Sequence, residues 1–334
     1  MNFSIVTDYN KIDKVQWAEF VENHPDGNYF QTYEFIKINE GVGKYKPFVI
    51  VAYDDELLIG LVVGVIQIED YSLLSFMTSR AIIIGGPLVI DNNKEVLNEL
   101  LYNLNKYLKN KAIYTEFRNQ FDLDEFVNVF SGNGFTYKDH LNFIVNCTDM
   151  DIIKKRMSRS KVRQVKKSLK EGAIIIENPD INQVKEFYYL LLELYKQIVK
   201  KPLPPWTFFR NFYENKTGKY LLISFSSQII GGMMCPIHIN KEIYEWYICG
   251  LDREFKDIYP SVLATWAAID YANRNNISYF NFLGAGNPDQ NYGVREFKAK
   301  FGGDLINYGR FQKINRKELY LISKFGFYIY QKLK

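Results

Sequence analysis

The sequence predicts a two-domain α/β protein whose halves are copies of one domain. Three observations lead there. At 334 residues, with 47% hydrophobic and 24% charged side chains, the chain has the size and balance for two globular cores. Strand-length apolar runs alternate with helical periodicities, which indicates mixed or partly parallel sheets flanked by helices rather than a sandwich. The order of segments also recurs. Gly43-Lys44-Tyr45, a strand, a polar turn and Leu58-Ile59-Gly60 are echoed by Gly218-Lys219-Tyr220, a strand, Ser226-Ser227-Gln228 and Ile229-Ile230-Gly231. Tyr107–Phe117 and Tyr271–Phe282 each run from a helix end, through Asn110 or Asn275, into a strand that closes on Phe.

In the first half, Val15–Asn23 and Thr32–Glu40 read as short helices, and Phe48–Tyr53 and Leu57–Gln67 as strands joined by the polar turn Asp54-Asp55-Glu56. A strand at Ala81–Ile84 is closed by Gly85-Gly86-Pro87. Lys94–Leu108 has Val96, Leu97, Leu100, Leu101 and Leu104 on one side and reads as a helix. A strand at Ile113–Phe117, a helix near Leu123–Phe130 and a strand at Asn142–Cys147 complete this half, assigned to residues 1–147.

The second half, residues 148–316, begins with a basic helix over Ser160–Glu171 that stops at Gly172, a fitting C-cap. Its spacing places Val162, Val165 and Leu169 inward and Lys161, Arg163, Lys166, Lys167 and Lys170 outward. That basic face reads either as an ordinary solvated surface or as a contact for phosphates. A strand at Ala173–Glu177, a long helix at Ile181–Val199, the Pro-rich break Pro202–Pro205 and a helix near Phe208–Glu214 follow. Strands at Tyr220–Phe225, Ile229–Ile239 and Ile243–Cys249, a helix at Ser261–Asn273 and a strand at Tyr279–Phe282 lead into a Gly-rich segment.

Composition narrows the function. A charge of +4 permits an anionic substrate without indicating a nucleic-acid binder. Cys147, Cys235 and Cys249 form no C-x-x-C pair and read as free thiols of a reducing cytosol. The histidines, His24, His140 and His238, have no ligand spacing, so neither a metal nor another cofactor is expected. No signal peptide or membrane span is visible, and a cytoplasmic protein is expected.

The segment Gly284–Gly303 is the best candidate for chemistry. It follows a strand and opens a short helix at about Val294, where free backbone N–H groups suit a phosphate or carboxylate. Arg295 and Lys298 share one helical face, and Phe297 and Phe301 another. The plain alternative is a surface loop and a helix with core Phe and solvated Lys residues. A dinucleotide fingerprint is excluded, because Asp289 stands where G-x-G-x-x-G needs glycine. Glu116, Asp270 and Asp289 are candidate bases, and nothing in the sequence selects one.

Four segments resemble the Fem family of peptidyltransferases, which build peptidoglycan interpeptide bridges. They are Phe30-Gln31-Thr32-Tyr33-Glu34-Phe35-Ile36-Lys37, Gly85-Gly86-Pro87, Glu116-Phe117-Arg118-Asn119, and Phe282-Leu283-Gly284 through Gly293, Phe297-Lys298 and Phe301-Gly302-Gly303. The resemblance implies two tandem GNAT-like domains without a coiled-coil arm, and a final helix, 317–334, that packs back on the first. It implies a lipid-linked, diphosphate-bearing precursor in an inter-domain cleft and aminoacyl-tRNA as donor. Lys37 and Asn39 would contact substrate from domain one, and Tyr247, Gly293 and Arg295 from domain two, with Lys37 gripping phosphate. Phe297 and Lys298 would be the catalytic pair, Lys298 holding the carbonyl or acceptor terminus where charge develops. A monomer working at the inner face of the membrane is expected. The tail, with Tyr320, Phe325, Phe327, Tyr328 and Tyr330 beside Lys324, Lys332 and Lys334, either packs on the first domain or touches that membrane. Two other functions remain open: N-acyl transfer from acyl-CoA or another activated donor, and a non-catalytic module for cell-wall peptide or glycan. A Q/R-x-x-G-x-G/A pyrophosphate loop, which ordinary acetyl-CoA use would call for, is not seen.

Overall fold

The computed structural model describes residues 3–68 and 78–333. The side chains of Phe327, Tyr328, Tyr330 and Lys332, and all of Lys334, lie outside the described residues. The chain forms two compact units, one of residues 1–139 with 308–334 and the other of residues 140–307.

Unit 1 opens with β1 (Phe3–Val6), α1 (Lys14–Asn23) and α2 (Tyr33–Asn39). Strands β2 (Lys46–Asp54) and β3 (Leu57–Gln67) form a hairpin at the polar turn, where Asp55 takes a positive φ. After β4 (Arg80–Ile84) and β5 (Leu88–Val89) comes α3 (Lys94–Leu108), capped by the Asn93 side chain on the N–H groups of Glu95 and Val96. Its buried stripe, Val96 to Leu108, packs on the sheet as its periodicity requires. β6 (Tyr114–Arg118), α4 (Val127–Gly132) and β7 (Thr136–Lys138) follow.

Unit 2 contains β8 (Asn142–Asn146), α5 (Met150–Arg156), α6 (Arg159–Lys170) and β9 (Ile174–Ile176). α7 (Ile181–Leu194) starts at an Asp180/Gln183 capping box and runs into a π-helical turn, Tyr195–Val199. After α8 (Trp206–Asn215), β10 (Gly218–Phe225) and β11 (Gln228–His238) form a hairpin with positive φ at Ser226 and Ser227. β12 (Glu242–Tyr244), β13 (Tyr247–Gly250), α9 (Pro260–Arg274), β14 (Tyr279–Asn281), α10 (Gly293–Ala299) and β15 (Asp304–Ile306) complete it. β16 (Arg310–Ile314) and α11 (Lys317–Leu333) return to unit 1, where Tyr320 meets Tyr114 edge-on at 5.7 Å. No described helix is long and apolar enough to cross a membrane.

The two sheets share one topology. Unit 1 has the order β1-β2-β3-β4-β6-β16-β7 with β5 also on β3; unit 2 has β9-β10-β11-β12-β14-β8-β15 with β13 also on β11. The parallel pairs are β4 with β6 and β12 with β14. The correspondence contains an exchange. β8, which follows the first repeat in sequence, lies between β14 and β15 in the second sheet. β16, which follows the second repeat, lies between β6 and β7 in the first.

In each sheet one strand breaks in the middle and loses its inner neighbour. The break falls at Gly85-Gly86-Pro87 in unit 1 and at Glu245-Trp246 in unit 2. Backbone groups there leave the ladder and need other partners. In unit 1, Asn28 donates to the Gly85 carbonyl at 3.2 Å and Gln31 donates to that of Gly86. Gly85 has φ +95°, and a Cβ on it would sit 2.3 Å from the Asn28 side chain, so only glycine fits.

Phe311 of β16 stacks on Phe130 at 3.9 Å and is buried in the unit 1 core. Phe311→Ala is expected to cost about 3–5 kcal/mol of unit 1 stability, as Phe→Ala changes in cores do. Urea denaturation checks this, and a loss below about 1 kcal/mol would show that the exchanged strand does not anchor the first core.

Candidate functional site

The break in unit 2 is resolved differently from that in unit 1. Up to Tyr244 the strand pairs with both β11 and β14, and beyond it β13 keeps only β11. On the other side, the chain past β14 turns away through Leu283 and Gly284, at φ +55° and +138°. Two buried asparagines hold that turn. Asn281 Oδ1 accepts from Leu283 N and Asn142 Nδ2, and Asn142 Oδ1 accepts from Gly284 N, each at 2.8 Å.

The opening between the diverging chains is filled by Lys298 of α10. Its Nζ donates to the carbonyls of Phe282 and Gly284 and pairs with Glu245 Oε1, all at 2.8 Å. The lysine is 7% exposed and the glutamate 6%, so both charges are held out of water and depend on each other. Three N–H donors meet three acceptors. The contact implied for Lys298, to a substrate carbonyl, would require one of these bonds to open. Glu245 Oε2 is buried with no hydrogen-bond partner among the described residues. Burial pushes the Glu245 carboxyl up, and the charge and hydrogen bond of Lys298 pull it back.

Beside this pair lies a pocket of about 790 Å³, a size suited to a small organic group. Leu190, Leu194, Ile198, Ile248, Val294 and Phe297 give it apolar walls. Glu245, Cys249 and Lys298 also line it, with Glu193, Asp252, Arg253 and Glu254. Burial pushes the Cys249 thiol up, so it is protonated. Asp252 accepts from Ser261 N at 3.1 Å and from Ser261 Oγ, placing a carboxylate on the first turn of α9.

Phe297 lines the pocket and packs against Phe301 at 5.3 Å. The Nζ of Lys161, on α6, stands over the Phe297 ring at 4.2 Å. Lys161 is 7% exposed, which corrects the outward reading of that residue. The buried face of α6 is Lys161, Val165 and Ser168, with Leu169 45% exposed, so the face is rotated from the expected one. Burial lowers the Lys161 pKa to about 8, with Lys300 acting in the same direction and Asp252 opposing.

The other expected site residues are placed as follows. Gly293 begins α10 and lines the pocket. Arg295 clasps its own loop, donating to the carbonyls of Ala285, Pro288 and Asn287. Tyr247 packs its ring among Tyr195, Phe208 and Phe209. Gly302 has φ +79°, and a Cβ there would meet the Arg156 backbone at 2.7 Å. Lys37 and Asn39 belong to unit 1. Lys37 pairs with Glu40 at 2.9 Å on the surface, and Asn39 is buried, donating to the Phe35 carbonyl. Three of the four segments that carry the family resemblance meet in unit 1. Gln31 reaches Gly86, and Gly85 N donates to the Arg118 carbonyl at 3.0 Å. Sequence reasoning missed Glu245, Asp252 and the buried Lys161. A charge inside the apolar strand Ile243–Cys249 was the signal for Glu245.

Residues 235–325 match the model of the FemAB family, and no curated protein matches the sequence. Among solved structures the chain is similar to FemX, at 16% identity over 96% of this chain and 99% of that one, with a TM-score of 0.72. It is similar to L-PGS from Bacillus licheniformis at 14% identity over 93% and 96%, with a TM-score of 0.60. It also resembles a tandem GNAT protein from the clavulanic acid biosynthesis pathway at 9% identity over 94% and 99%, with a TM-score of 0.58. These likenesses are of fold, and they make the architecture the expected tandem GNAT-like one. Among the described residues there is no coiled-coil arm, since α7 ends in the π turn and α8 follows directly. The Fem resemblance read from the sequence is borne out over 235–325, the stretch that holds Glu245, Asp252, Phe297 and Lys298.

Two outcomes are expected from this geometry. Lys298→Met strands a buried carboxylate and should cost about 3–5 kcal/mol, while the double change with Glu245→Gln should recover much of that loss. Urea denaturation of the full cycle measures the coupling, and additive effects would show that the pair is not coupled. For Lys161, the folded protein binds fewer protons than the unfolded chain between about pH 8 and the ordinary 10.5. Stability should therefore rise with pH across that window. Lys161→Met should lack this rise, read as the difference between the two proteins' denaturation midpoints against pH.

Proposed function

We propose that this chain is a Fem-like acyltransferase that moves an aminoacyl group from aminoacyl-tRNA to an amine of a peptidoglycan precursor or related cell-envelope acceptor. The observation that carries the reading is the coincidence of the FemAB match with the pocket wall formed by Glu245, Phe297 and Lys298.

The pocket's chemistry supports direct transfer. An amine that has lost its proton attacks the ester carbonyl carbon, a C–N bond forms, and the ribose hydroxyl leaves. No side chain has to carry the acyl group. Cys249 is held as a neutral thiol, and Ser261 donates its hydroxyl proton to Asp252 without a histidine on the pocket lining. Lys298 fixes the carbonyls of Phe282 and Gly284 and sets a positive charge beside the pocket, where a developing oxyanion is favoured. On the same reading, Lys37 meets the precursor's phosphate and Tyr247 supports the pocket through its ring contacts.

The acyl-CoA alternative is weakened by Asp252. A helix N-terminus attracts a pyrophosphate, but the start of α9 already holds this carboxylate, and a like charge there is repelled.

Incubation with charged tRNAs, acyl-CoAs and precursor muropeptides, followed by mass spectrometry, tests the reading. A mass gain of one aminoacyl residue on the muropeptide is expected only with charged tRNA. A gain only with acyl-CoA sinks the tRNA reading, and tight muropeptide binding with no gain favours a binding module.

A further inference from the structure

We propose that Glu245 is the catalytic base of the transfer, taking the proton of the acceptor ammonium through its free oxygen, Oε2. This rests on the transfer reading above, and its amine-binding part stands on the geometry of the pocket alone.

Glu245 sits at the strand break, where its backbone N–H donates to the Asn281 carbonyl at 2.8 Å. The side chain cannot swing away without leaving Lys298 unpaired, because Oε1 is fixed on Lys298 Nζ at 2.8 Å. Oε2 is buried with no partner among the described residues, and the residue, 6% exposed, lines the pocket. A buried acceptor without a donor is rare. A ligand that brings an N–H to it removes the deficit. The walls around it are apolar, and four carboxylates on the lining, Glu193, Glu245, Asp252 and Glu254, face two cations, Arg253 and Lys298. That balance favours an alkylammonium group over an anion. Of the four acids, Glu245 alone is buried; Glu193 accepts from Gln197, and Asp252 is held by Ser261.

The charges around Glu245 suit the task. Lys298 on α10 favours its ionised form, and burial favours the protonated one, which brings it nearer to a usable base. Cys235 of β11 is kept neutral by burial and by the charge of Glu245 itself. In the reaction, the carboxylate takes one proton from the ammonium. The neutral nitrogen attacks the acyl carbon, the second proton passes from nitrogen to the leaving ribose oxygen, and the C–O bond breaks. The products are an amide, a free hydroxyl and one proton, which Glu245 returns to water.

Glu245→Gln tests this, since its amide oxygen still accepts from Lys298. It is expected to slow kcat about 100-fold, leave KM for charged tRNA unchanged, and turn the pH profile into a steady rise as solvent deprotonates the amine. Activity within about 3-fold of the parent with an unchanged profile overturns the base. Binding of Nα-acetyl-lysine amide, followed by calorimetry, is expected to weaken at least about 10-fold in the variant, a tenfold ratio being ample to resolve. Equal binding overturns the amine site whatever the transfer assay gives. If the parent transfers nothing but binds the amine through Glu245, the transfer reading fails and the amine site stands. Should the Gln variant not fold, Glu245→Asp takes its place: its shorter carboxylate is expected to slow kcat and weaken amine binding, each at least about 10-fold, while the shape of the pH profile is kept, and parent-like kcat and binding overturn the base.

Discussion

A buried ammonium with three acceptors, and a carboxylate it cannot do without, set the form of unit 2. The order of necessity starts at the backbone. Once β13 and the chain past β14 diverge, the carbonyls of Phe282 and Gly284 face a gap with no strand to pair them. A lysine reaches both, but its charge is tolerable in that setting only with a counter-ion nearby. Glu245 supplies it. A carboxylate has two oxygens, and the lysine has no fourth proton. The free oxygen therefore follows from the repair of a sheet, and the pocket's chemistry is a by-product of strand geometry.

Unit 1 shows that the same break can be closed without charge. There the amides of Asn28 and Gln31 donate to the carbonyls of Gly85 and Gly86. A neutral donor needs no counter-ion, so the carbonyls of Gly85 and Gly86 are met here without a charge. Two copies of one topology have in this way met the same break differently, one with neutral amides and one with a buried ion pair. The segments that carry the family resemblance divide between the copies, three lying in unit 1 and one in unit 2.

Much of this was legible in the chain. The hairpins were marked by polar turns between apolar runs, and α3 by a stripe with helical spacing, because both signals are local. The repeated order of segments announced the shared topology. Two things were not legible. The periodicity of Arg159–Lys170 gave Val165 correctly but could not say that Lys161 would be drawn over Phe297, since that ring arrives from α10, far along the chain. Similarly, Asn142–Asn146 reads as a strand from its residues, yet nothing local says that its neighbours are β14 and β15 rather than β6 and β7. Arg295 looked like a free cation because its partners are carbonyls, which every residue has.

The exchange of β8 and β16 bears on how the protein is made. Synthesis runs from the N-terminus, and domains commonly fold as they emerge. Here the first sheet has a vacant lane between β6 and β7 until residues 310–314 leave the ribosome. Phe130 and Phe117, which β16 covers through Phe311, wait through the production of the entire second unit. The second sheet has its borrowed strand, β8, before any other of its parts. The unit begun last can therefore be finished first, and the nascent chain carries an unfilled apolar seam for most of its length.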